Sequence, residues 1–189
     1  LGIDPASGEL LLQKGIALAH LDRHEEAEQV LGESAARMPD RFEPAFLRGL
    51  SLMILDRNAD AVTALDSAIT LNPTDPDIWF HKGISLARLG KADEAIPAFD
   101  QVLDLRPDDA EAYLGRGRAF YTLGSYDRAI QSFDKVIGIS PQHAAAWHEK
   151  GLALYNMNRY TDAIEAFDKA LLSDPENHDA MYYHAASYA

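Results

Sequence analysis

Residues 144–177 read AAAWHEKGLALYNMNRYTDAIEAFDKALLSDPEN. Apolar residues recur there at three- and four-residue steps, first at Trp147, Gly151 and Leu154 and then at Ala163, Phe167 and Ala170. That spacing predicts two amphipathic helices. Pro175 should end the second, because a proline pushes the residue before it away from the helical region.

The same pattern extends in both directions. Gly15, Gly49, Gly83, Gly117 and Gly151 stand 34 residues apart, and Ala185 holds the next place. Ala27, Ala61, Ala95, Ala129 and Ala163 follow the glycines by 12 residues, and Pro39, Pro73, Pro107, Pro141 and Pro175 share the period. Trp79, Tyr113 and Trp147 lie four before their glycines, while Leu31, Leu65, Phe99, Phe133 and Phe167 lie four after their alanines. Small residues at the glycine and alanine places let two helices approach closely, and the large residues fill the space beside them. Between repeats, Asp75 followed by Pro76 reads as an N-cap and a proline at the first helical place.

This constellation resembles the tetratricopeptide repeat, a family with a 34-residue period and a tryptophan, glycine, alanine and proline signature. The resemblance covers nearly the whole chain. It implies an all-α, right-handed superhelical solenoid of antiparallel helix pairs. Residues 1–189 are then one solenoid, with full repeats at 8–41, 42–75, 76–109, 110–143 and 144–177. Residues 1–7 read as the end of a preceding repeat, since Pro5 is 34 before Pro39, and 178–189 as the first helix of a sixth. The chain is therefore expected to be cut from a longer array, whose ends expose apolar faces. Met181, Tyr182, Tyr183 and Tyr188 make the last helix apolar, so self-association through the ends is expected.

Composition narrows the function. With 17 Lys and Arg against 30 Asp and Glu, the formal net charge is −13, which opposes binding to a phosphate backbone. Hydrophobic residues make up 47% and charged residues 25%, an ordinary globular balance rather than a disordered one. No apolar run is long enough for a membrane span. Cysteine is absent, which removes disulfides, thiolate metal sites and cysteine nucleophiles and fits a cytoplasmic location. No nucleophile elbow, phosphate loop or H-E-x-x-H occurs, so neither catalysis nor a cofactor is expected. His20 and His24 have a spacing that would suit a metal on one helix, but the repeat register sets them beside a turn with no third ligand. No metal site is expected.

Two charged rows follow the period. Lys14, Arg48, Lys82, Arg116 and Lys150 each precede the repeat glycine, with His184 in the sixth place. Asp66, Asp100, Asp134 and Asp168 recur on the second helix, with Gly32 as the exception. These rows are expected to pair, the basic stems packing between helices and their heads reaching the carboxylates; an anion-binding stripe is the alternative. Glu9, Glu43, Asp77, Glu111 and Asp179 occupy the second place of the first helix, where an acid favours the helix dipole. Asp40 with Glu43, and Asp108 with Glu111, have capping-box spacing. The same row at Glu9, Glu43, Asp77 and Glu111 would also present an acidic rim to basic partners. Pro97 breaks the second helix of repeat three, which is expected to bend or begin late there.

The resemblance implies that the first helices line a concave groove receiving extended peptides or partner helices. Carried over to this chain, the groove comprises Leu12 and Ile16, Phe46 and Leu50, Phe80 and Ile84, Leu114 and Arg118, and His148 and Leu152. One turn further along come Met53, Ile54, Arg88, Tyr121, Tyr155 and Asn156. Contiguous apolar exposure marks interaction sites, although some of these residues would instead pack between neighbouring helices. The density at Phe46, Leu50, Met53 and Ile54 makes repeat two the expected hot spot. Chaperone-binding members of the family clamp a terminal carboxylate with Lys, Asn and Arg. Here Leu12, Ile16, Phe46, Leu50, Phe80 and Ile84 stand in those places and only Arg118 is cationic, which disfavours that activity. The expected function is a non-catalytic protein-interaction scaffold for an apolar, partly basic segment. The alternatives are a targeting arm of a larger enzyme and an end-to-end self-assembling array.

Overall fold

The computed structural model describes residues 7–188, which hold eleven α-helices and no strand. The pairs are α1 (Gly8–His20) with α2 (His24–Arg37), α3 (Glu43–Ile54) with α4 (Asn58–Leu71), and α5 (Pro76–Arg88) with α6 (Ala92–Leu105). They continue with α7 (Ala110–Thr122) and α8 (Tyr126–Ile139), α9 (Ala144–Asn156) and α10 (Tyr160–Ser173), and the single α11 (His178–Ala186). The chain is all-α, in helix pairs with the 34-residue step. The expected tail of an earlier helix at Leu1 to Pro5 lies outside the described residues.

Two compact units meet between Gln101 and Val102, within α6. In the first unit α1 packs on α2, α2 on α3, α3 on α4 and α4 on α5, and the first helices α1, α3 and α5 are also successive neighbours. In the second, α7 packs on α8, α8 on α9, α9 on α10 and α10 on α11, with α7, α9 and α11 in the same relation.

One turn geometry joins the helices of every pair. Asp22, Asp56, Gly90, Gly124 and Asn158, spaced by the repeat period, all have φ between 56° and 74°. Glycine adopts that left-handed conformation freely, and Asp and Asn tolerate it better than other side chains. The next amide then bonds back to the helix, as in Arg57 N to Leu52 O at 2.9 Å and Arg159 N to Leu154 O at 3.0 Å. This is a Schellman closure, which satisfies carbonyls that a helix end leaves free.

Across each pair, small meets large as the period requires. A Cβ placed on Gly83 would lie 2.8 Å from Cε1 of Phe99, and one on Gly49 would lie 2.9 Å from Cδ2 of Leu65. Ala27, Ala61, Ala95, Ala129 and Ala163 have no exposed surface, so the second helix also meets its neighbours through its smallest residues.

Asp75 caps α5 as expected, accepting from the Asp77 amide at 3.0 Å. The two capping boxes do not form. The N-cap of α7 is Asp109, which accepts from Ala112 N at 2.9 Å, and that of α3 is Phe42, which leaves Asp40 and Asp108 outside the caps. Glu43 turns to Arg41 instead, at 2.8 Å. Nor does Pro97 delay its helix: α6 begins at Ala92, in register with Asn58 and Tyr126 of its counterparts. Pro97 and Asp93 are both exposed, and Pro97 has no amide to return to the Asp93 carbonyl.

The charged rows pair between successive repeats. Lys82 Nζ lies 2.6 Å from Asp66 Oδ1, Lys150 Nζ 2.6 Å from Asp134 Oδ1, and His184 Nε2 3.0 Å from Asp168 Oδ1. Where Gly32 supplies no carboxylate, Arg48 reaches Glu28 at 3.2 Å. The basic heads also lie over rings three residues earlier, Lys82 at 5.3 Å from the Trp79 centroid and Lys150 at 5.3 Å from Trp147. Trp79 and Trp147 in turn donate to the carbonyls of Pro73 and Pro141 at 2.9 and 2.8 Å, tying each ring to the turn between repeats. With Asp134 half exposed, the ion pair is screened. Replacing Lys150 by Met, which keeps the stem, should therefore lower stability by only about 0–1 kcal/mol. In urea unfolding the difference should shrink as salt is added; a deficit that salt leaves unchanged would contradict a screened pair.

Candidate functional site

The adjacency of α3 and α5 brings Leu50, Met53 and Ile54 from the last turn of one helix opposite His81 and Arg88 of the other. Together they line a cleft of about 420 Å³. Met53 is buried, Leu50 is half-buried, and Ile54 is 63% exposed, a large aliphatic side chain left in water. The His81 ring lies 5.8 Å from Phe46 and 5.7 Å from Phe80. Burial among these groups pushes the His81 imidazole below its ordinary range, against the opposing charge of Asp77. Arg88 Nη1 donates to the Met53 carbonyl at 3.3 Å, and among the described residues no carboxylate is in ion-pair range of Arg88.

The corresponding face of the second unit is aromatic and hydrogen-bonded. Arg118 Nε donates to Glu149 Oε1 at 2.8 Å. Asn156 Nδ2 donates to the Tyr121 hydroxyl at 2.8 Å and to the Leu152 carbonyl at 2.9 Å. The Tyr121 ring lies 5.4 Å from Tyr126, and Tyr155 lies 5.4 Å from both Tyr160 and Tyr183. Burial raises the Tyr121 phenol above its usual range, while the Asn156 bond opposes the shift. His148 is half-buried, its ring 6.0 Å from Phe167.

Most of the residues expected in the groove keep some surface: Ile16, Phe46, Leu50, Phe80, Ile84, Tyr121, His148, Leu152 and Tyr155 are half-buried, and Ile54, Arg88, Arg118 and Asn156 are exposed. Leu12 and Leu114 do not belong to the surface; at 3% and 4% exposure they are core. They share a register with Phe46, Phe80 and His148, whose longer side chains extend past the packing in which a leucine ends. Met53 is also nearly buried and contributes only to the cleft wall.

The acidic rim is not a row of free carboxylates. Arg41 bridges Glu9 at 3.4 Å and Glu43 at 2.8 Å, which holds the Glu43 carboxyl below its usual range, and Glu111 faces His143 at 3.7 Å. Its potential toward a basic partner is neutralised in part at the residues expected to provide it. His20 ends α1 and His24 begins α2, on either side of the turn. Among the described residues no cluster of three or more His, Cys, Asp or Glu could hold a metal, and no helix is long and apolar enough to cross a membrane.

Other residues of these faces also carry a sequence signal. His81 stands seven before Arg88, close to two helical turns, and so shares its face. Tyr126 and Tyr160 lie 34 apart, each five after a groove tyrosine. Glu149 carries no such signal, since it matters through Arg118 in another repeat.

The helical pairs and their 34-residue spacing define an all-α repeat protein. Models described as tetratricopeptide repeat match residues 12–76, 46–104, 80–144 and 120–186. The chain belongs to the tetratricopeptide-repeat family. No curated protein matches it in sequence. Among solved structures it is similar to YrrB, described as a TPR protein with an unusual peptide-binding site, at 20% identity and a TM-score of 0.83 over 91% of this chain and 89% of that one. It is similar also to a MamA protein, at 22% identity and a TM-score of 0.85 over 90% and 93% of the two chains. MamA from Desulfovibrio magneticus RS-1 matches at 23% identity and 0.85 over 90% and 96%. These likenesses establish the fold.

Proposed function

We propose that the chain is a non-catalytic interaction scaffold that binds a peptide or helix of a partner protein on the face made by the first helices of its repeats. The observation that carries this reading is the α3–α5 cleft, where an exposed Ile54 and an arginine lacking a carboxylate partner flank an apolar wall. Apolar surface rimmed by polar groups in a concave site is the usual form of a recognition surface. The peptide-binding site of YrrB, on the same fold, supports the reading.

Panning a displayed random peptide library on the full chain tests it. Enriched peptides should lose about tenfold or more in affinity, some 1.4 kcal/mol, for Ile54→Asp, whose exposed position leaves the helix intact. Leu50→Ala provides a second variant on the same wall. Peptides that bind wild type and both variants equally would defeat this placement of the site.

A further inference from the structure

Resting on that reading of the α3–α5 face, we propose that its cleft selects an extended segment in which a large apolar side chain stands next to an aspartate or glutamate. The apolar side chain enters among Leu50, Met53 and Ile54, and the carboxylate pairs with Arg88.

Charge complementarity carries the inference. In a chain of formal net charge −13, many basic heads have carboxylates close by, although Lys14, Arg128, Lys135 and Lys169, like Arg88, show no ion pair among the described residues. Within the same unit Lys82, Arg41 and Arg57 have theirs at 2.6, 2.8 and 2.7 Å. Arg88 is held instead by a backbone carbonyl, that of Met53, which also accepts the Asp56 amide at 3.2 Å. That bond engages one Nη beside the cleft and leaves the rest of the planar N–H fork for a ligand, and the fork matches a carboxylate. Arginine and apolar wall thus meet at one opening, and their spacing sets that of the two ligand groups.

The carboxylate belongs to a side chain rather than to a chain terminus. Ile54 and Arg88, which flank the opening of the cleft, are the last residues of α3 and α5. Helix C-termini present carbonyls and the negative end of the dipole, so they offer none of the backbone N–H groups that capture a terminal carboxylate. A flexible acidic side chain that reaches Arg88 avoids those carbonyls. The negative field of the whole chain also opposes a strongly acidic ligand and favours a single acid beside an apolar anchor.

The same library, panned in parallel on wild type, Arg88→Glu and Ile54→Asp, decides the matter. Wild type should enrich peptides with an apolar–acidic pair and bind them about tenfold tighter than their Gln or Asn counterparts. Arg88→Glu, at an exposed site where helicity by circular dichroism should be unchanged, should enrich an apolar residue beside Lys or Arg. Peptides that depend on Ile54 but show no acid preference, or a ranking that Arg88→Glu leaves unaltered, overturn the inference while the site itself stands. No enrichment at all, or enrichment indifferent to Ile54, overturns both.

Discussion

Phe133→Ala should cost about 3–5 kcal/mol of stability, the range for removing a buried phenylalanine. The side chain has no exposed surface, and its ring occupies the notch over Gly117 so closely that no Cβ fits there. Deleting the ring leaves a cavity between α7 and α8, bounded by helix backbones that their Schellman turn holds in place. Since about 1 kcal/mol displaces the melting temperature of a chain this size by some 2–4 °C, a fall of roughly 10 °C is expected in calorimetry. Phe99 and Phe167 are equally buried over Gly83 and Gly151, so their alanine variants should behave alike. A shift of a degree or two at Phe133 would mean that the pair is held by something other than this contact.

Gly151→Ala should destabilise, and Gly138→Ala should do the reverse. A Cβ on Gly151 would stand 2.5 Å from Cε1 of Phe167 and 2.7 Å from its Cδ1. That ring is fully buried, with His148 at 6.0 Å and Tyr183 at 6.2 Å between centroids, so it has little room to retreat. Overpacking of this kind costs about 1–3 kcal/mol, partly offset by the roughly 1 kcal/mol that alanine gains over glycine inside a helix. Gly138 is also helical, but nothing lies within 4 Å of the Cβ it would receive. There the propensity gain acts unopposed, and stability should rise by about 0.5–1 kcal/mol. Opposite signs for the two variants in urea unfolding would show that the periodic glycine serves close approach. A gain at both would show that it does not.

The architecture was legible because its causes are local and repeated. Amphipathic spacing and the small-large alternation of Gly151 with Phe167 recur every 34 residues and can be read without knowing any distance. The left-handed turn residues Asp22, Asp56, Gly90, Gly124 and Asn158 were equally readable, being residue types that tolerate positive φ at the same interval. Even the Lys82–Asp66 and Lys150–Asp134 pairs follow from register, since two rows of opposite charge on facing helices have little else to meet. The capping box at α7 does not form because Asp109, one residue closer to the helix than Asp108, takes the cap.

By itself, then, the sequence determined the class of the protein, the turns that join its paired helices and the small and large residues at which those helices touch. Periodicity encodes contacts between neighbours along the chain. Tertiary structure alone decided what remains available to a partner. It buried Leu12 and Leu114 where Phe46 and Phe80 still reach the surface, joined Glu9 to Glu43 through Arg41, and left Arg88 on a carbonyl beside an apolar cleft. Those outcomes depend on side-chain length and on distances between helices about a repeat apart in the chain, which a periodic pattern leaves open.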